Sequence, residues 1–381
     1  SIVYMSLTSW SIAVNELADA FNLSTSLIQA GSSMLIAGYV IGGFVEGKLI
    51  GKYGWRKVFT TVICAFIIAS VLIPLVTNYY IILLLRFIQG CGCMVGLTSA
   101  VVSSWFPTKE RGLALGILLG AIGLGSALGG YVGGLLTPAL GWKMTFWIIS
   151  AVSILGAIVF YLMVKEAPPL EEETVIPVED PENINIFAQP ALWLLGLSTL
   201  CCFFNCYGMY AYLAQYLFTL KYTAAEVGMI VFLNGFIAII STPAVGWISD
   251  KKVASMGALK ARTWLSLFVG LIGCALIPHL APINMGMALL ISLVAGWGIP
   301  ATNGPGLSLP ADLFGSAASG AGVGFVLLIA GAGGIIAPIF VPWLAGQTNW
   351  TIAWYVTALP ALIGMFINIY LGKYTKSPKH S

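Results

Sequence analysis

Arg86 stands about seven residues into an apolar run that opens at Tyr79, and no other basic residue lies clearly inside such a run. If the run crosses a membrane, a charge at that depth costs about 2.5–3.5 kcal/mol on insertion scales. The guanidinium must therefore face a cavity or a partner. Two chemistries follow. Its planar fork can grip an anionic solute through two parallel hydrogen bonds, which an ammonium cannot match. Or it can tie helices together through backbone carbonyls and Gln89. A second cluster lies between 191 and 218, where Phe203, Phe204, Asn205, Tyr207, Tyr210, Tyr212, Gln215 and Tyr216 crowd together. Asn205, Tyr212 and Tyr216 share a helical face, with Tyr207 offset. Tyrosine supplies an apolar wall and a hydroxyl, a surface that suits a small polar solute. Trp297 and Asn303, in a run bent by Pro300 and Pro305, are further candidates, as are Tyr4, Thr8 and Ser11 on one face of the first run. The carboxylates placed to carry a coupling proton are Glu16 and Asp19, at one end of the first run, and Glu46 at the end of the second. No nucleophile–base pair and no metal-ligand spacing accompanies them, so no enzyme activity, metal or cofactor is expected.

The elements that position these residues are membrane helices. The 381-residue chain is 59% hydrophobic, 8% charged, and has a mean hydropathy of +0.95. A soluble domain carries about 25% charged residues. Runs of roughly 20 apolar residues cross a bilayer, and twelve are read here: 1–21, 27–50, 57–76, 79–105, 112–136, 142–164, 191–218, 226–248, 262–281, 284–309, 317–345 and 350–372. Turn and cap residues mark the breaks at Asn22–Ser24, Thr77–Asn78, Pro107–Lys109, Pro278 and Pro310–Asp312. Of 17 Lys and Arg residues, only Arg86, Lys143 and Lys221 fall off one side of this topology. Basic loops mark the cytoplasm, so both termini are expected there, most simply across a plasma (inner) membrane. Residues 1–21 begin as a span without a basic flank, so a short tail is expected ahead of Ser1. The net charge of +3 forms no basic face outside the loops, and no nucleic-acid partner is expected. The seven cysteines sit in apolar runs and read as small buried hydrophobes.

The chain divides into an N-terminal six-helix bundle (1–164), an acidic cytoplasmic linker (165–190), a C-terminal six-helix bundle (191–372) and a cytoplasmic tail (373–381). The linker carries Pro168-Pro169 and Glu171 to Glu173 and is too polar to pack a core. The halves repeat. Gly47 to Lys52 answers Gly246 to Lys251; Phe106-Pro107 answers Leu309-Pro310; Gly141-Trp142 answers Asn349-Trp350. Such a repeat, in the same orientation, implies two parallel halves about an axis along the membrane normal.

GKLIGKYGWRK, from Gly47 to Lys57, resembles the loop signature of the major facilitator superfamily, with Gly51 where that family usually has an acid. Arg86-Phe-Ile-Gln-Gly90 is similar to its R-x-x-Q-G motif, and WFPTKERGLALG opens the fifth span in a similar way. The resemblance covers the whole chain. It implies a central cavity lined by spans 1, 4, 7 and 10, hence substrate-binding candidates Arg86, Gln89, Tyr4, Thr8, Asn205, Tyr207, Tyr212, Trp297 and Asn303. It implies a gate built on Gly47, Lys52, Arg56, Lys57, Asp250 and Lys251, with Glu16 and Glu46 as coupling candidates. Spans 5 and 11 are crowded with glycines, among them Gly130, Gly134, Gly331 and Gly334, as sliding helices at an interface require. Gly125 to Gly130 resembles the family's antiporter motif, with Ser126 replacing its proline.

The expectation is an all-α membrane protein of twelve transmembrane helices, working as a monomer in the lipid bilayer. Its expected function is secondary transport by alternating access of a small organic solute, a monocarboxylate first, with a proton as candidate coupling ion. The absence of interior charge from spans 7 to 12 argues against a dianion clamped from both halves. The rival readings are efflux or antiport of amphipathic compounds, and a solute sensor without flux.

Overall fold

The structure, a computed structural model, describes residues 2–53, 55–92, 108–163, 188–263, 267–301 and 303–373. Its regular elements are helices α1 (Ile2–Ile12), α2 (Val14–Phe21), α3 (Thr25–Tyr53), α4 (Trp55–Leu72), α5 (Tyr79–Cys91), α6 (Thr108–Met163), α7 (Pro190–Thr219), α8 (Ala224–Met256), α9 (Ala258–Thr263), α10 (Leu267–Leu280), α11 (Met285–Ala301), α12 (Asn303–Gln347) and α13 (Trp350–Gly372). A short 3₁₀ turn, Ile73–Leu75, follows α4. Hydrocarbon offers no hydrogen bonds, so each apolar run satisfies its own backbone by coiling.

These elements map onto twelve crossings. α1 and α2 make the first, α6 makes the fifth and sixth, and α9 is a short helix at a turn. α6 is not one rod. Gly141 sits at φ 77°, ψ 164°, a backbone state that interrupts the helix and favours glycine. Polar caps close other ends: Asn78 accepts from Tyr80 N–H, Asn349 accepts from Ile352 N–H, and Thr223 with Glu226 forms a reciprocal capping box. Asn22, left-handed at φ 54°, ends α2.

Two expected boundaries move. Pro278 lies inside α10, and the turn falls after Leu280. Pro310 lies inside α12 rather than at a break. Asn303 opens α12, and residue 302, between it and α11, lies outside the described residues. A proline removes one helical hydrogen bond, and packed membrane helices tolerate that loss. Most of the linker, residues 164–187, and the tail from 374 lie outside the described residues, as do Cys93, Phe106 and Pro107.

α7 is the centre of the packing. Every residue from Cys201 to Leu217 is buried, on all faces. One side of α7 meets α1 and α3, and the other meets α12 and α13. Cys201, Cys202, Cys206 and Cys274 are buried, whereas Cys64 is exposed on the bundle surface, against expectation.

Candidate functional site

The N-half polar core is built around Arg86, which is fully buried. Its Nε donates to Gly31 O at 3.1 Å, and its Nη1 donates to Ser6 Oγ at 2.8 Å and Gln89 Oε1 at 3.0 Å. Gln89 Nε2 in turn donates to Ser70 Oγ at 2.7 Å. The guanidinium carbon lies 4.6 Å from the Trp10 ring centre, within cation–π range. Gly31 makes this possible: a Cβ there would stand 2.5 Å from Trp10 Cζ2. At Gly90 a Cβ would strike Leu35 O, and at Gly38 it would strike Phe87 O, so α3 and α5 touch backbone to backbone. The R-x-x-Q-G run thus supplies a donor, a relay and a close approach. Three helices, α1, α3 and α5, are bound by one side chain. Nη2 alone has no hydrogen bond.

A second polar layer lies where the halves meet. Tyr4 and Tyr207 share a hydrogen bond of 2.6 Å between hydroxyls, and their rings stack with centroids 6.1 Å apart. Tyr210 meets Tyr4 edge-on at 6.3 Å, and Tyr39 packs 6.2 Å from Tyr207. Gly334 of α12 lies against the same ring, since a Cβ there would stand 2.9 Å from Tyr207 Cδ2. Tyr207 is therefore enclosed by α1, α3 and α12. Thr8, one turn from Tyr4, donates to Ser126 O at 3.0 Å and so fastens α1 to α6.

Above this layer the halves are joined by further polar contacts. Gln29 Nε2 donates to Ala211 O at 2.6 Å, and Ser11 Oγ donates to the same carbonyl. Gln215 Nε2 donates to Thr25 Oγ1 at 2.6 Å, and Ser33 Oγ donates to Ile335 O at 2.6 Å. Glycines let α6 meet α8 along the same stretch: a Cβ at Gly134 would lie 2.8 Å from Gly228 Cα, and one at Gly130 would lie 2.6 Å from Val231 Cγ1. All these contacts lie toward the end of the bundle remote from the basic α3–α4 and α8–α9 turns, hereafter the far side. Toward the basic side, a Cβ on Gly43, Gly246 or Gly324 would meet nothing within 4 Å.

The remaining expected site residues are dispersed. Asn205 and Tyr212 turn into the C-half. Asn205 accepts from the Cys274 thiol at 2.9 Å, and Tyr212 donates to Thr357 Oγ1 at 3.0 Å beside Trp354. Tyr207, read as offset from their face, is the residue that faces the N-half. Trp297 is half-buried on α11, and the side chain of Asn303 lies outside the described residues. Glu16 accepts from Trp142 N–H at 2.9 Å, capping the helix that restarts after Gly141. Glu46 is buried on α3, and neither carboxyl oxygen has a hydrogen bond.

Of the gate residues, the side chains of Gly47, Lys52 and Asp250 lie outside the described residues. Arg56 lies 5.9 Å from the Tyr161 ring centre, and Lys57 is exposed. Lys251 sits 3.7 Å over the Trp247 ring. Arg262, absent from the expected set, donates to Ser249 Oγ at 3.3 Å, and Ser249 donates to Ala261 O at 2.9 Å. Sequence reasoning also missed Tyr39, Gln29 and Ser33. Gln29 and Ser33, four apart and so on one face of α3, were the available signal.

Comparison with known proteins agrees with this architecture. The Major Facilitator Superfamily profile matches residues 1–325. The chain belongs to that superfamily, and it is a multi-pass membrane transporter, not an enzyme. The hexuronate transporter of Bacillus subtilis is 25% identical over 371 residues, covering 91% of this chain and 86% of that one. The probable sulfoacetate transporter of Cupriavidus necator is 24% identical over 396 residues, covering 96% and 91% respectively. The crystal structure of a bacterial homolog of the human lysosomal transporter Spinster, inward-facing and unoccupied, superposes with a TM-score of 0.78 at 16% identity, covering 98% of this chain and 94% of that one.

Proposed function

We propose that the protein is a secondary transporter that moves a small organic anion, a monocarboxylate first among them, by alternating access. The observation that carries this reading is the buried tyrosine layer of Tyr4, Tyr39 and Tyr207, set between the halves below a closed far-side seam. Hydroxyls enclosed by apolar walls bind a small polar solute and exclude water. The anion preference draws on the transporters of hexuronate and sulfoacetate that this chain resembles. It draws also on Arg86, the one buried cation among the described residues. Arg86 is tied to Ser6, two residues from Tyr4, so its positive potential bears on the layer while its hydrogen bonds brace the bundle.

In this reading the bundles 1–164 and 191–372 rock as units joined by the linker 165–190, within a single monomer. The far-side seam is shut in the arrangement described, and the tail 373–381 and the basic turns face the cytoplasm across a plasma membrane. The test of transport is uptake into proteoliposomes with glucuronate, sulfoacetate and a neutral hexose as probes. Saturable uptake of an anion, with none of the hexose, is expected. Uptake of the hexose alone would sink the anion reading.

The tyrosine pair gives a sharper expectation. Tyr207→Phe keeps the ring and loses one hydroxyl, so folding should be retained while glucuronate uptake falls about tenfold, the loss of one hydrogen bond of about 1.4 kcal/mol. Uptake at the wild-type rate would remove the pair from the binding layer. Orientation is checked separately. Cysteines placed at Glu172 and Asp180 should resist an impermeant maleimide in intact cells and react after permeabilisation. Labelling from outside would invert the topology.

A further inference from the structure

Glu46 and Arg86 are the charged side chains among the buried described residues. They are treated very differently. Arg86 has three hydrogen bonds. Glu46 is 3% exposed and has none at either oxygen. Its place on α3 is defined by Gly38 and Gly42, which precede it by two turns and one turn on the same face. A Cβ at Gly42 would stand 2.6 Å from Cys91 Cα, so Glu46 continues the face that α3 presses on α5.

Among the described residues, no cation is bonded to either carboxyl oxygen. The Cys91 thiol is within electrostatic reach of the carboxyl. Beyond it, residues 92–105 of the same span contain only Cys93 as a titratable group and no charge. Arg86, five residues before Cys91, is occupied as described. On α4, Arg56 lies by the Tyr161 ring and Lys57 is exposed. α7 carries no charged residue, and the only one on α12 is Asp312, near its start. On α3 itself, the side chains of Lys48 and Lys52 lie outside the described residues.

An ionised carboxylate buried without donor or cation is too costly to persist, and such a group neutralises instead. Glu16, by contrast, has its oxygen committed to Trp142 N–H at a helix start, a role that needs no proton. We propose that Glu46 is the proton-binding site of this transporter: it carries a proton in the far-side-closed arrangement and exchanges it when α3 and α5 shift during the transport cycle. The step moves one proton between the carboxyl and water, with no other bond made or broken. The coupling rests on the transport reading above; the proton site does not.

Two measurements test it. Dicyclohexylcarbodiimide reacts with protonated carboxyls in apolar surroundings, so the wild-type protein in detergent should be modified at Glu46 at about pH 6 and several-fold less at about pH 9, where acids ionise. Glu16 should react weakly at both. Absence of modification at Glu46, or modification indifferent to pH, overturns the site without any variant having to fold. In proteoliposomes, Glu46→Gln should keep glucuronate or sulfoacetate counterflow within about twofold and lose accumulation driven by a pH gradient about tenfold or more. Gradient-driven accumulation equal to wild type overturns the coupling. If wild type moves neither anion while Glu46 still reacts as expected, the transport reading fails for these probes and, with it, the coupling, while proton binding stands.

Discussion

Arg86→Ala lowers the melting temperature of the unliganded protein by a wide margin, equivalent to about 3 kcal/mol or more. The substitution removes the donors to Gly31 O, Ser6 Oγ and Gln89 Oε1 inside the N-half and leaves Ser6 and Gln89 only their mutual 3.5 Å contact; a buried polar group left unsatisfied costs about 1–3 kcal/mol. It also removes the cation from the Trp10 face. Arg86→Lys restores the charge but not the geometry, because one ammonium cannot span donors fixed at Nε and Nη1; it should recover less than half of the loss. The measurement is thermal unfolding in detergent, with and without glucuronate. The contrary result is an unchanged melting temperature without ligand, together with lost stabilisation by ligand. That pattern would move Arg86 from the bracing network into the binding layer.

The second large effect is expected at the α6–α8 seam. Gly134→Leu should insert and fold, yet reduce glucuronate uptake about tenfold or more, because overpacking by a branched side chain costs about 1–3 kcal/mol. A Cβ at Gly134 would already lie 2.5 Å from Ala224 O. The wedge acts only where the halves touch, so it disfavours the far-side-closed arrangement specifically. A reporter cysteine at Gln215, sealed against Thr25 in this arrangement, should then react faster with an impermeant maleimide than in the Gly134 background. Gly130→Leu should behave alike, with Val231 in its path. Uptake and labelling at wild-type rates in both variants would show that the seam yields freely.

Much of the fold is legible in the chain because apolar runs of spanning length leave few alternatives. Helix starts at Asn78 and Asn349 follow from side chains that replace missing backbone partners, and the end at Asn22 follows from a residue that tolerates the left-handed backbone. Pro278 and Pro310 mislead for the same physical reason: in packed membrane helices, neighbours offset a lost hydrogen bond that would end a soluble helix. The site is harder to read. Helical periodicity groups Asn205 with Tyr212 and separates Tyr207, but it does not say which neighbour each face meets. Because α7 is buried on all sides from Cys201 to Leu217, it has no solvent face there to serve as a reference. Arg86 and Gln89 are legible as a polar pair, while their partners Ser6, Gly31 and Ser70 lie on three other segments and are ordinary residues in isolation. Glu46 and Glu16 look alike in the chain; the hydrogen bond at one and its absence at the other separate them.

The Arg86 network also bears on how the chain is made. All its acceptors, Ser6, Gly31 and Gln89, and the Ser70 that supports Gln89, precede residue 92. Synthesis delivers the N-terminal part first, so nothing from the second half is needed to shelter the guanidinium. An isolated fourth helix entering lipid would have no acceptor for Arg86 except water at the surface, a costly intermediate. The first four segments must therefore associate as a group, with Arg86 drawing them together while the ribosome is still at work. A truncated chain ending in the acidic connection should already hold this knot, whereas one lacking the first helix should be retained and degraded.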